Sequence, residues 1–140
     1  MEILNREARF NYFIEEEIEA GIALVGTEIK SIRNGKVQLK DAYVLIRKGE
    51  AFLINSYIGL YEEGNQFNHE ERRNRKLLLH KKEIKKLEEK VKLEGLTLVP
   101  LKMYFVKGKI KVLVGVCKGK KNYDKRQAIK ERDLKRESKV

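Results

Sequence analysis

The sequence predicts a mainly β protein with short helices: a small antiparallel β-barrel carrying a flexible, basic C-terminal tail. Three observations predict it. The β-rich runs come as hairpins, turning at Lys48-Gly49-Glu50 and at Lys107-Gly108. A single well-defined amphipathic helix separates the two hairpin groups. Finally, charge is divided along the chain: Met1 to Glu63 carries 8 Lys+Arg against 11 Asp+Glu, whereas Gly64 to Val140 carries 24 against 10. The basic excess is densest after Lys118, where almost nothing apolar remains to bury, so the expected division is a barrel over residues 1–121 and a tail over 122–140. The length of 140 residues suits one domain with a modest core.

Taken in order, Phe10 to Leu24 mixes aromatic, β-branched and acidic residues, with Ile18, Ala20, Ile22 and Leu24 in alternation, and reads as two strands. Thr27 to Gly35 reads as a short helix, capped by Thr27, with Ile29 and Ile32 on one face and Gly35 at its end. Tyr43 to Arg47 and Ala51 to Tyr57 form the first hairpin, and a polar loop spans Glu62 to Glu71. Ile84, Leu87 and Val91 recur at three and four residues before Gly95, marking the separating helix. Leu96 to Val106 and Lys109 to Lys118 form the second hairpin, in which Pro100 marks an edge or a bulge. About six strands and two short helices arranged this way fit a closed or nearly closed OB-type barrel, a fold much used for nucleic acids.

Composition and motifs exclude several classes. No run approaches the ~20 apolar residues of a membrane span. The start, Met1 to Asn5, lacks a basic region followed by an apolar stretch, and one cysteine, Cys117, forms no intrachain disulfide, so the expected setting is cytoplasmic with no membrane partner. Nucleotide-loop, nucleophile-elbow and C-x-x-C patterns are missing, and Gly119-Lys120-Lys121 lacks the upstream glycine and the Ser/Thr of a phosphate loop. His69 and His80 are eleven positions apart without a ligand partner at metal spacing, and read as a loop histidine and a surface histidine. Cys117 shares a strand face with Leu113 and Gly115 and reads as a packed or partly exposed thiol. Glu15, Glu16 and Glu17 point alternately to opposite faces of a strand and cannot converge on one ion without a bulge. The expectation is a protein without catalytic residues, metal or other cofactor.

What remains is basic. Arg72 to Lys82 is either a solvated loop and helix start or an RNA-contacting patch, with Leu77, Leu78 and Leu79 as its apolar anchor. From Asp124 onward the tail has good helix formers and i,i+4 pairs such as Glu131 with Lys135, but only Ile129 and Leu134 to dock it. It is therefore expected to be disordered when free and helical on an anionic partner.

Eight blocks, in order, resemble those of the SsrA-binding protein (small protein B) family, and together they span essentially the whole chain. They are Asn5-Arg6-Glu7-Ala8-Arg9, Glu19-Ala20-Gly21-Ile22, Gly26 to Arg33, Gly49-Glu50, Asn68-His69-Glu70, Arg75 to His80, Leu98-Val99-Pro100-Leu101 and Gly119 to Arg126. The resemblance implies a bacterial trans-translation factor, acting as a monomer. Such a factor binds the tRNA-like domain of transfer-messenger RNA and delivers it to stalled ribosomes, where the tail lies on small-subunit rRNA in the empty messenger channel near the decoding centre. The resemblance places Asn5, Glu19 and Leu78 at or under the RNA-binding surface, and with the basic residues Lys30, Arg33, Arg72, Arg73, Arg75, Lys76 and His80 these make the expected RNA-binding set. It places Gly119, Lys120, Lys121, Asp124, Lys125 and Arg126 at positions needed on the ribosome, and with Phe10 and the tail residues Tyr123, Ile129, Lys130 and Arg132 these make the expected ribosomal set. Asn5 donates and accepts, Glu19 accepts from an amine or holds an arginine, and Leu78 packs beneath the surface. Phe10 stands where many relatives have a histidine, which keeps stacking but removes a charged contact. As far as Val140 the tail is shorter than in many relatives, and a shorter reach along the channel is the expectation for a tail of that length.

Overall fold

The computed structural model describes residues 2–121 together with Lys125, Arg126, Ile129 and Lys130, and of residues 64–66 the backbone only. Strand β1 (Glu2–Leu4) leads into helix α1 (Arg6–Asn11), which turns directly into the eleven-residue strand β2 (Tyr12–Ile22). Helix α2 (Gly26–Arg33) follows, then β3 (Val37–Gln38), the hairpin of β4 (Tyr43–Arg47) and β5 (Glu50–Ile54), and β6 (Tyr57–Ile58). A 3-10 helix (Glu62–Phe67) precedes β7 (Arg75–Leu78), α3 (Lys81–Glu94) and the hairpin of β8 (Thr97–Val106) and β9 (Lys109–Gly119).

Seven strands form one antiparallel sheet in the order β1-β8-β9-β2-β7-β5-β4, and β3 pairs with β6 apart from it. Strand β4 packs back against β8 without ladder hydrogen bonds, so the sheet curls into a barrel that is not strictly closed. Both expected hairpins are present with two-residue turns. Lys48 and Gly49 have φ of 52° and 75°, and Lys107 and Gly108 have 50° and 78°, the doubly positive geometry whose twist matches that of paired strands.

The sequence reading needs four corrections here. Phe10 to Leu24 is not two strands: Phe10 lies in α1, and Tyr12 to Ile22 is a single strand bent by a bulge between Ile14 and Glu16. Strand β5 stops at Ile54, because Asn55 at φ 62° breaks the run before Tyr57. Thr27 does not cap α2. The helix begins one residue earlier, and the Glu28 side chain accepts from the Val25 amide at 2.9 Å, while the Thr27 hydroxyl is turned to His69. Arg75 to Leu78 is a strand rather than loop, wedged between β2 and β5. The described residues thus hold nine strands and three α-helices, more short pieces than the sequence suggests.

Alternation sends Ala20, Ile22, Leu53, Leu77, Met103, Val112 and Val114 into the barrel, with Ile84 and Leu87 of α3 closing one end. The outer face has two parts. Near the start of β2, α1 covers it, packing Ala8 on Val99, Leu101 and the fully buried Cys117. Burial pushes the Cys117 thiol up to about 11, the behaviour of a packed, unreactive cysteine. Gly115 makes this packing fit, since a Cβ there would stand 2.9 Å from a Leu101 methyl. The bulge between Pro100 and Lys102 absorbs the proline, which has no N–H for the ladder. Past Glu17 the same face is open to solvent.

Candidate RNA interface

The open part of the outer face is organised by three register pairs. Gly21 of β2 sits opposite Leu78 of β7 on one side and Lys111 of β9 on the other, and Lys111 in turn faces Tyr104 of β8. Lacking a Cβ, Gly21 lets the Leu78 side chain lie across it; an added Cβ would stand 3.2 Å from that of Leu78. Between this strip and the first turn of α3 runs a groove of about 590 Å³. Glu19, Lys76, Leu78, His80, Lys81 and Lys111 are among its lining residues. Four members of the expected RNA-binding set, Glu19, Lys76, Leu78 and His80, are therefore brought together from β2, β7 and the start of α3. Leu78 is 55% exposed, so it forms part of the surface rather than supporting it from below.

His80 precedes α3, its amide donating to Glu83 Oε1 at 3.0 Å, which leaves its ring exposed. Lys76 is half-exposed and lies 3.7 Å from Glu50 across the strand pair, a surface contact of small energetic weight. Glu19 receives the Tyr104 hydroxyl at 2.5 Å. The Tyr104 phenol is pushed up to about 12, chiefly by partial burial and then by the Glu19 carboxylate it faces. The groove thus combines cations for phosphate, an exposed apolar ridge and a carboxylate that accepts from amines or hydroxyls.

The arginines divide. Arg75 is 0% exposed, and its expected place on the RNA surface is corrected by the geometry: alternation on β7 turns it inward, between Lys76 and its neighbours on the outer face. Its Nε donates to Glu28 Oε2 at 2.5 Å, Nη1 to the carbonyl and hydroxyl of Ser56 at 3.0 and 3.1 Å, and Nη2 to the carbonyls of Glu70 and Glu71 at 3.3 and 3.1 Å. No donor is left for a ligand. Arg73 reaches the same carboxylate at 2.6 Å from a half-buried position. Burial pushes the Glu28 carboxyl up, yet the hydrogen bonds from Arg73, the Val25 amide and Arg75, with the charge of Arg75, outweigh it and hold Glu28 below its ordinary value. His69 completes this framework: its Nε2 is 2.9 Å from the Ile58 carbonyl, which only accepts, so Nδ1 in the neutral ring accepts from Thr27. Nothing in the isolated sequence separates Arg75 from its cationic neighbours except the period-two alternation with Leu77.

Lys30 and Arg33 project from the exposed side of α2, away from the groove's lining, with the Lys30 ammonium 5.2 Å from the Tyr61 ring centre. Arg72 is exposed over the Tyr57 ring at 5.5 Å. Asn5 is buried: its amide nitrogen donates to the Pro100 carbonyl at 2.8 Å and its backbone N–H to that of Leu101 at 2.9 Å. It clamps the start of α1 onto β8 and does not join the groove. Sequence reasoning missed Tyr104 and Lys111, which the pairing of β9 with β2 brings beside Glu19 and Gly21.

The residues expected to serve the ribosome gather at the other end of β2. Gly119 pairs with Tyr12, the Lys120 amide donates to the Asn11 carbonyl at 2.8 Å, and the Lys120 ammonium lies 4.9 Å from the Phe13 ring centre. Phe10 is one turn away on α1, half-buried. Lys121 is exposed, and its carbonyl accepts from the Lys125 amide at 3.1 Å. Lys125, Arg126, Ile129 and Lys130 have helical conformation, whereas Tyr123, Asp124 and Arg132 lie outside the described residues. The acidic residues at 15–17 diverge around the bulge, Glu16 to Lys90 at 3.1 Å and Glu17 to Arg9 at 3.8 Å. Among the described residues no group of three His, Cys, Asp or Glu is placed to hold a metal ion, and no helix is long and apolar enough to cross a membrane.

Comparison with known proteins adds four findings. The family described as SmpB protein matches residues 2–140 of the chain. The chain is similar to the SsrA-binding protein of Desulfitobacterium hafniense (strain Y51), at 59% identity over 133 residues, 95% of this chain and 85% of the relative. It is likewise similar to the SsrA-binding protein of Trichodesmium erythraeum (strain IMS101), at 61% identity over 133 residues, 94% of this chain and 85% of the relative. Among solved structures, a chain from "tmRNA-SmpB: a journey to the center of the bacterial ribosome" matches with a TM-score of 0.73 and 48% identity, covering 91% of this chain and 94% of that one.

Proposed function

The chain belongs to the SmpB protein family, and from that premise we propose that it binds the tRNA-like domain of transfer-messenger RNA (SsrA RNA) and brings it to stalled bacterial ribosomes for trans-translation. The observation that carries this reading is the groove in which Glu19, Lys76, Leu78 and His80 meet on an open sheet face. Its mixed chemistry suits folded RNA, whose phosphates, ribose hydroxyls and splayed base edges are offered together. A purely electrostatic binder needs neither the carboxylate nor the apolar ridge.

The two ends of β2 divide the work. The groove holds the RNA, while the basic strand exit at Gly119 to Lys121 launches the tail, which occupies the empty messenger channel near the decoding centre and contacts small-subunit rRNA. Phe10, Lys125, Arg126, Ile129 and Lys130 serve this second task. The protein acts in the bacterial cytoplasm by binding and placement, and it catalyses no reaction of its own.

The test is competition between the tRNA-like domain of transfer-messenger RNA and an ordinary tRNA at one fixed, near-physiological salt concentration. The expected result is a preference of roughly tenfold or more for the former, about 1.4 kcal/mol. Equal binding would reduce the protein to a general basic RNA-binding barrel and overturn the reading.

A further inference from the structure

Tyr104 occupies an unusual place for a side chain that bonds Glu19. The two residues belong to β8 and β2, with β9 between them. Two strand spacings amount to about 10 Å, so the phenol must lie across β9 to place its hydroxyl 2.5 Å from Glu19 Oε2. The ring has a further contact, because the Lys102 ammonium stands 5.0 Å from its centre and is itself bonded to Glu2 of β1 at 3.2 Å. Four strands therefore contribute to the orientation of one carboxylate at the rim of the groove.

The consequence is chemical. An ionised carboxylate only accepts hydrogen bonds, and one of the two Glu19 oxygens is already engaged by a phenol that stays protonated at any working pH. A carboxylate repels phosphate, so the ligand of Glu19, in a groove that Lys76, Lys81 and Lys111 line together with Glu50 and Glu83, is an N–H or O–H group, an exocyclic base amine or a ribose 2′-hydroxyl. Unsupported, an exposed glutamate samples several rotamers, and ordering it would weaken the contact.

We propose that Tyr104 is a positioning residue for RNA recognition: it fixes Glu19 so that the remaining carboxylate oxygen is presented to an amine or hydroxyl donor of the RNA in the groove. This rests on the function proposed above. Tyr104 acts through Glu19, so its removal affects discrimination between RNAs rather than general affinity.

The experiment is a double-mutant cycle on the full chain with Tyr104→Phe, Glu19→Gln and the double substitution. Each is titrated against the tRNA-like domain and against ordinary tRNA over a range of salt, with thermal unfolding recorded alongside. Tyr104→Phe keeps the ring and is expected to weaken binding of the tRNA-like domain by about 3- to 15-fold, the scale of one lost hydrogen bond. Ordinary tRNA binding, the salt slope and the unfolding temperature are expected to stay unchanged, and the double variant to bind no worse than Glu19→Gln. Unchanged affinity in Tyr104→Phe, additive losses in the double variant, or equal losses for both RNAs together with a lower unfolding temperature would overturn the proposal. The functional reading is tested separately by the unsubstituted protein, whose equal binding of both RNAs would overturn that reading while the cycle still measures coupling on either one.

Discussion

Two carboxylates show how this molecule uses the same chemistry in opposite ways. Glu28 is sealed beneath α2 and saturated by Arg73, Arg75 and the Val25 amide, whereas Glu19 stands in the open with one phenol as its partner. The sealed one ties α2, β7 and the loop before β7 into a single body; the open one has capacity left for a ligand. Charge alone does not mark a binding residue. The marker is whether the framework leaves a donor or acceptor unspent on the surface side.

The largest effect should come from breaking the sealed side. Arg75→Ala leaves Glu28 in the interior without its deepest partner and is expected to lower stability by about 3–5 kcal/mol, read by denaturant unfolding, whereas Glu19→Ala should scarcely move the same transition. A smaller loss tests the covered end of the outer face: Gly115→Ala forces Leu101 aside in a closed packing and should cost about 1–3 kcal/mol. RNA binding should report the reverse order. Leu78→Ala and Glu19→Gln are expected to reduce affinity for the tRNA-like domain by roughly 5- to 30-fold, about 1–2 kcal/mol each, with unfolding unchanged.

Acid should report on the sealed carboxylate. The folded-state pKa of Glu28 lies below its unfolded value, so its contribution to stability is fully present above about pH 4.3 and is lost as pH falls through the lower folded-state value. In Glu28→Gln that acid limb of the stability curve should flatten; an unaltered limb would place the titration elsewhere. The smallest expected effect belongs to Lys76→Ala, which removes one cation from the groove and should reduce the slope of log affinity against log salt by about 0.7–0.9 without changing which RNA is preferred.

How much of this was legible beforehand follows from what each segment buries. The hairpins and α3 could be read because their turns need specific backbone geometry, visible as Lys48-Gly49, Lys107-Gly108 and Gly95, which has φ of 66°. Strand β7 was obscured because Arg75 looks like the solvated cations around it, and the partners that make its inward position tolerable include the distant Glu28 and Ser56, which no local pattern points to. Helix α1, with six residues, is too short to show a period and is held by Asn5 bonding to a strand 95 residues away. Of the functional surface, Glu19 and Leu78 could be singled out from the family resemblance. Tyr104 could not, since its importance lies in a register between strands that no local pattern encodes.

The bent strand β2 is also a ruler. Glu19 marks one end at the groove, and Tyr12, paired with Gly119, marks the other where the chain departs. At about 3.3 Å per residue, shortened by the bulge, the two lie roughly 20 Å apart, and the ladder with β9 along this whole span holds the strand in register. The spacing between a held RNA and the root of the tail is thereby encoded in a residue count, and adding or removing a pair of residues in β2 would reset it by a fixed step of about 7 Å while keeping every side chain on its own face.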